Sequence, residues 1–139
     1  MLLLALAFPP EPHRAPRVLL VEDHADTRLM YAEFLSSSFE VLEAADGLEA
    51  LDLALRHRPD LIVTDVSLPG IDGFELVTRL RRHAVTRQTP IVCLSGYGGD
   101  VYEERARKAG CNQIVQKPCL PDELARAVHQ LLAEIRGTE

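Results

Sequence analysis

The sequence predicts an α/β fold of the doubly wound class: five βα units forming a five-stranded parallel sheet with helices on both faces. Three observations carry this. From Arg17 onward short apolar runs alternate strictly with amphipathic segments, the pattern of parallel strands joined by right-handed crossovers. The runs are continuously apolar, as strands covered on both faces must be. A length of 139 residues suits one domain with its own core.

The elements follow in order. Val18-Leu-Leu-Val21 is the first strand, and Leu29, Met30, Phe34 and Leu35 mark the inner face of the first helix. Phe39-Glu-Val-Leu42 is the second strand. Leu48, Leu51, Ala54 and Leu55 then recur at helical spacing after Asp46-Gly47, a helix-opening pair. Pro59 closes the stretch before the third strand, Leu61-Ile-Val63. Asp72, with Glu75 three residues later, caps a helix carrying Phe74, Val77 and Leu80. Ile91-Val-Cys-Leu94 is the fourth strand. The fourth helix is weaker, with Val101, Tyr102, Ala106 and Ala109 as its stripe and Gly110 as its terminator. Ile114-Val115 is the core of the last strand. Leu124, Val128, Leu131 and Ile135 give the closing helix, with Asp122 in its first turn. The organisation is a Pro-rich tail over residues 1–16 and a single domain over 17–137.

Composition narrows the function classes. Hydrophobic residues at 47% and charged residues at 26% are those of an ordinary globule and exclude a wholly disordered chain. A net charge of −6 lacks the basic footprint of non-specific nucleic-acid binding, so direct DNA binding is not expected. Cys93, Cys111 and Cys119 are odd in number and contain no CxxC pair. Neither a disulfide framework nor a zinc site is expected, and Cys93 reads as a small buried hydrophobe in a reducing, cytoplasmic compartment. The apolar start, Met1 to Phe8, lacks a preceding basic residue and runs into Pro9, Pro10, Pro12 and Pro16. It is too short to span a bilayer and reads as a tail, so no membrane partner is expected.

In open parallel sheets, ligands bind outside the carboxyl ends of the strands. Strand one ends in Glu22-Asp23, strand three in Asp65, strand four in Ser95-Gly96 and strand five in Lys117-Pro118. Singly, each has an ordinary reading as a helix cap, a loop aspartate or a surface lysine. Together, on one sheet edge, they read as a site. Carboxylates a few ångströms apart repel by about 4 kcal/mol per pair at an effective dielectric of about 20. A hard divalent cation relieves this while keeping the oxygens ionised, and an all-oxygen set without clustered His or Cys suits Mg²⁺. Such an ion retains open positions for phosphate oxygens, and an aspartate can serve as nucleophile in phosphoryl transfer.

The set Val18-Leu-Leu-Val-Glu-Asp23, Asp65-Val-Ser-Leu-Pro-Gly70, Leu94-Ser-Gly96 and Lys117-Pro118 resembles the receiver domain of two-component response regulators, of the chemotaxis-receiver kind. The resemblance implies a flavodoxin-like sheet of strand order 2-1-3-4-5. It implies Asp65 as phosphoacceptor, with Glu22, Asp23, Asp65 and the backbone carbonyl of Ser67 holding Mg²⁺, or Mn²⁺ in its place. Ser95 becomes the switch hydroxyl, Lys117 the phosphate-contacting lysine, and the Lys117–Pro118 bond cis. Gly96 leaves access to the phosphoryl group. The partners implied are a histidine kinase or histidine phosphotransfer protein and a downstream effector. Homodimerisation through the face of the fourth helix, fifth strand and fifth helix is also implied. The domain is a signalling module and not an enzyme beyond its own phosphorylation and dephosphorylation.

One position departs from the pattern. Ile114, three residues before Lys117, stands where the family has an aromatic that turns inward on activation. Two readings of the output stay open: a switch through Ser95 and the fourth helix, entered through Tyr97-Gly98-Gly99, or transfer and storage of phosphate. A pseudo-receiver, binding partners without phosphorylation, is the alternative that Ile114 favours. An aspartyl phosphatase is a third class, but it wants an acid two residues past the nucleophile, where this chain has Ser67. His24 follows the acidic pair and reads as an exposed first-turn residue. The chain stops at Gly137-Thr-Glu139, which reads as a single-domain regulator or a receiver cut from a longer protein.

Overall fold

Five parallel strands form one sheet in the order β2-β1-β3-β4-β5 in a computed structural model that describes residues 15–137. The chain order is β1 (Arg17–Val21), α1 (Ala25–Leu35), β2 (Glu40–Ala44), α2 (Gly47–His57), β3 (Leu61–Asp65), α3 (Gly73–Arg82), β4 (Ile91–Ser95), α4 (Asp100–Ala109), β5 (Gln113–Gln116) and α5 (Pro121–Gly137). The expected fold class and strand order are those observed. The expectation of a tail falls almost wholly on residues outside those described.

Alternation along the central strands divides the core in two. Val18, Leu20, Leu61, Val63, Val92 and Leu94 pack against α1 and α5 through Tyr31, Leu35, Leu124 and Val128. Leu19, Val21, Ile62, Ile91 and Cys93 face α2, α3 and α4 through Ala50, Ala54, Phe74, Leu76, Val77, Leu80 and Ala106. Strands β3 and β4 are buried along their whole length, which is why Leu61–Val63 and Ile91–Leu94 are unbroken apolar runs before the polar residues at the strand ends.

Helix ends follow the sequence closely. The carboxylates of Asp46 and Asp72 accept from the backbone N–H of Glu49 and Glu75, each at 2.8 Å, satisfying donors that the first turn leaves free. Gly110 ends α4 in the left-handed region. The helical faces are less faithful. Leu29, Met30 and Phe34 are exposed, and α1 buries Tyr31, Ala32 and Leu35 instead. Apolar residues lie around most of α1, so periodicity selects no face. The Tyr31 hydroxyl, which donates to the Cys119 carbonyl at 2.7 Å, fixes the rotation. Leu48 and Val101 are likewise exposed, and α4 buries only Ala106 fully.

The cysteines need a second correction. Cys93 is fully buried as expected, but it is joined to Cys111 by a disulfide. The spacing of the two conceals the pair, because their adjacency arises only when the chain leaving α4 returns to β4. Among the described residues, no helix is long and apolar enough to cross a membrane.

Candidate functional site

The parallel sheet delivers its strand ends to one edge. Glu22 follows β1 and its N–H continues the pairing to the Ala44 carbonyl at 3.0 Å. Asp65 is the last residue of β3, and Val66 N–H donates to Leu94 O at 2.9 Å. Ser95 ends β4, and its carbonyl accepts from Lys117 N–H at 2.7 Å. Glu22, Asp65, Ser95 and Lys117 thus meet at one edge, with Asp23 next to Glu22 in the chain.

Lys117 is the hub. Its Nζ donates to Asp65 Oδ2 at 2.7 Å and to Glu22 Oε1 at 3.0 Å. Glu22 and Asp65 are almost fully buried, whereas Asp23 is exposed. One carboxylate oxygen from each of Glu22, Asp23 and Asp65 lies within 4.8 Å of the others. The second oxygen of Asp65 accepts from Ser67 N–H at 3.1 Å. A cleft of about 480 Å³ opens over these groups, lined by Asp23, His24, Asp65, Ser67, Gly96, Tyr97 and Lys117. His24 is exposed, as expected, yet belongs to that lining. A Cβ at Gly96 would meet nothing within 4 Å, so internal packing does not require glycine there.

Burial pushes the Glu22 carboxyl above its usual range, and the Asp65 carboxylate adds to the rise, while the bond and charge of Lys117 oppose it. For Lys117 burial alone would lower the ammonium, but its bonds to Asp65 and Glu22 outweigh this and hold it above the usual lysine range. A cationic clamp on two buried carboxylates is therefore present, with a third acid at the mouth. An oxygen-only donor set of this kind fits a hard divalent cation.

Ser95 is fully buried, and its hydroxyl is engaged locally. It donates to the Tyr97 carbonyl at 2.8 Å and accepts from Tyr97 N–H at 3.0 Å. The Tyr97 ring stacks on Tyr102 of α4, centroids 5.2 Å apart, and the Arg105 guanidinium stands 4.7 Å from the Phe74 centroid. Gly99 enters α4 with φ at +106°, a conformation that favours glycine, so the Gly98-Gly99 pair is at least a helix entrance. Ile114 is half-buried against the α2–α4 side of the core. The Lys117–Pro118 peptide is cis.

Three supporting residues escaped the sequence reading. Gly73 presses α3 onto the site: a Cβ there would lie 2.8 Å from Val66 Cα and closer still to the Asp65 carbonyl oxygen. Its N–H also donates to Val66 O at 2.8 Å. Arg28 donates to the Glu22 carbonyl at 2.7 Å and pairs with Glu43 at 3.3 Å, bracing the loop that bears the acidic pair. Arg81 donates to the carbonyls of Thr89 and Gly110 and to Asn112, tying α3 to the segments that lead into β4 and β5. A glycine one residue past a cap was the available signal for Gly73; the arginines gave none.

The family model for the response regulator receiver domain matches residues 18–129. The polar-differentiation response regulator DivK of Brucella anthropi is 35% identical over 102 residues, which are 73% of this chain and 83% of that protein. Among solved structures, the chemotaxis response regulator CheY4 of Vibrio cholerae superposes with a TM-score of 0.79 at 31% identity. It covers 84% of this chain and 98% of its own. A two-component response regulator of the LuxR family from Aurantimonas sp. gives 0.79 at 31% identity, covering 86% of each chain.

Proposed function

This chain belongs to the response regulator receiver domain family, and on that premise we propose that it accepts a phosphoryl group on Asp65. The donor is a phosphohistidine of a histidine kinase or phosphotransfer protein, and the modification changes binding to a downstream effector. The observation that carries the reading is the clamp of Lys117 on Asp65 and Glu22, with Asp23 beside it, at the floor of an open cleft.

The chemistry assigns a task to each group. A carboxylate oxygen of Asp65 attacks phosphorus, the bond from phosphorus to the donor imidazole nitrogen breaks, and an aspartyl phosphate and free histidine result. Ser67 N–H and Lys117 hold Asp65 in place from its two oxygens. Lys117 is a cation partly desolvated by burial and poised beside the incoming phosphoryl oxygens. Glu22, Asp23, Asp65 and the Ser67 carbonyl would hold Mg²⁺, or Mn²⁺, which supplies charge neutralisation on the phosphoryl oxygens. The Ser95 hydroxyl has one proton, and donating it to a phosphoryl oxygen means withdrawing it from the Tyr97 carbonyl. That exchange links Asp65 to Tyr97, to its stack on Tyr102, and so to α4.

Incubation with acetyl phosphate and Mg²⁺ yields, on this reading, a single acid-stable and alkali-labile adduct that is lost in Asp65→Ala. Persistence of the adduct in that variant overturns the assignment. Ile114 supports a second reading, a pseudo-receiver that binds its partner irrespective of phosphate: the half-buried isoleucine cannot perform an aromatic rotamer switch. Equal partner binding by the wild type and Asp65→Asn, with and without phosphodonor, decides for it.

A further inference from the structure

We propose that Cys93 and Cys111 are a reversible redox site, oxidised by a low-molecular-weight disulfide of the glutathione class and reduced by thiols, whose oxidation staples α4 to β4. The bonded pair has its Cα atoms 6.6 Å apart and is separated by 18 residues in sequence. The loop it closes begins two residues before Ser95 and ends one past Gly110. It therefore encloses the Ser95 hydroxyl, Tyr97, Gly98, Gly99 and the whole of α4. Cys93 and Ser95, two residues apart on β4, leave the sheet on the same face. Helix α4 buries only Ala106 completely, so a covalent tie through the core is a substantial addition to what holds it.

The pair is brought together by contacts that do not involve sulfur. Ile91 N–H donates to Asn112 Oδ1 at 2.8 Å, and Asn112 N–H donates to Ile91 O at 2.9 Å. Arg81 donates to Gly110 O at 2.9 and 3.0 Å. Cys111 is thus flanked by a tie to β4 at Asn112 and a tie to α3 at Gly110, which raises the effective concentration of one sulfur at the other.

Access sets the order of events. Cys111 is half-buried and Cys93 fully buried. The Cys111 thiolate attacks one sulfur of the external disulfide, whose S–S bond breaks and releases one thiol. Cys93, its proton passed to solvent, then attacks the Cys111 sulfur and expels the second thiol. Two cysteine thiols lose two electrons and two protons to become one disulfide, and one external disulfide becomes two thiols. Where thiols are kept reduced, a disulfide of this kind is transient and responds to oxidant. Cys119, free and buried in the α1–α5 cluster, stands apart from the exchange.

The effect on signalling rests on the receiver reading; the staple does not. The full chain is equilibrated with glutathione disulfide or with dithiothreitol, alkylated in denaturant and weighed, and amide exchange over residues 96–110 is followed in each state. One free thiol after glutathione disulfide and three after dithiothreitol are expected. Exchange in α4 slows by about tenfold or more in the oxidised chain, the size a closed loop of this length can produce. Cys111→Ser and Cys111→Ala lose the redox response and exchange like the reduced wild type in both buffers. Three thiols after glutathione disulfide, or equal α4 exchange in both states, overturns the proposal. Acetyl phosphate labelling is read in parallel: absence of label at Asp65 in either redox state counts against the receiver reading alone. Labelling that loosens α4 only in the reduced chain shows the staple acting on the signal.

Discussion

Replacing Lys117 by alanine tests the electrostatics on which the site depends. The side chains of Glu22 and Asp65 are 1% and 6% exposed, and that of Lys117 is 26% exposed. Removing the ammonium deletes two close attractions, each roughly 4 kcal/mol at an effective dielectric of about 20, and leaves two buried carboxylates facing each other. The lost desolvation of Lys117 and entry of water from the cleft offset part of this. Breaking a buried pair costs about 3–5 kcal/mol; with one partner a quarter exposed, the expected loss at pH 7 is about 2–3 kcal/mol. The pH dependence gives the sharper sign. Burial and Asp65 already raise the Glu22 carboxyl, and Lys117 is the chief influence lowering it. A carboxyl whose folded-state pKa exceeds its unfolded value costs stability at pH 7. It returns that stability as pH falls through the folded-state value toward the unfolded one. In Lys117→Ala the rise is larger, so the variant recovers part of its deficit as pH falls from 7 toward the ordinary carboxyl value of 4.5. Urea denaturation at pH 7 and pH 5, with and without Mg²⁺, measures this, and Mg²⁺ stabilises the variant at pH 7. A deficit identical at both pH values, or no deficit at pH 7, rules out Lys117 as the charge that holds Glu22 and Asp65 ionised.

Other predictions are more local. Gly73→Ala drives a Cβ into the Asp65 and Val66 backbone, which cannot give as a flexible side chain would. It lowers stability by about 1–3 kcal/mol and slows acetyl phosphate labelling, both measurable on one preparation. Tyr31→Phe removes the buried bond to the Cys119 carbonyl, and urea titration is expected to show a loss of about 1–2 kcal/mol. Asp72→Ala removes the cap from Glu75 N–H and lowers the thermal midpoint by an amount equivalent to about 1 kcal/mol; an unchanged midpoint contradicts the capping role.

The fold was legible because each βα unit states itself locally. Unbroken apolar runs at Leu61–Val63 and Ile91–Leu94 could only be strands covered on both faces, and Asp46, Asp72 and Gly110 mark helix ends by chemistry contained within one turn. The candidate site was legible for a related reason: Glu22, Asp65, Ser95 and Lys117 each sit at or just beyond a strand end, and parallel strands align their ends. What escaped depends on contacts that no spacing or periodicity encodes. The rotation of α1 is decided by Tyr31 reaching Cys119, 88 residues away. The Cys93–Cys111 pair and the bonds of Arg81 to Gly110 and Asn112 exist only once α4 has folded back on β4. Gly73 is needed because of a backbone that approaches it from β3, which no spacing rule encodes. The bond from Ser95 to the Tyr97 carbonyl likewise had no sequence signal, yet it is the contact that the proposed phosphorylation would displace.

Asp65, clamped by Lys117 beside Glu22 and Asp23, is the proposed acceptor of the phosphoryl group. Intact mass and peptide mapping after acetyl phosphate and Mg²⁺ test it most directly. One added phosphoryl group is expected, mapped to Asp65, absent in Asp65→Asn and absent when Mg²⁺ is chelated. A phosphoryl group on any other residue, or one that survives in Asp65→Asn, contradicts it.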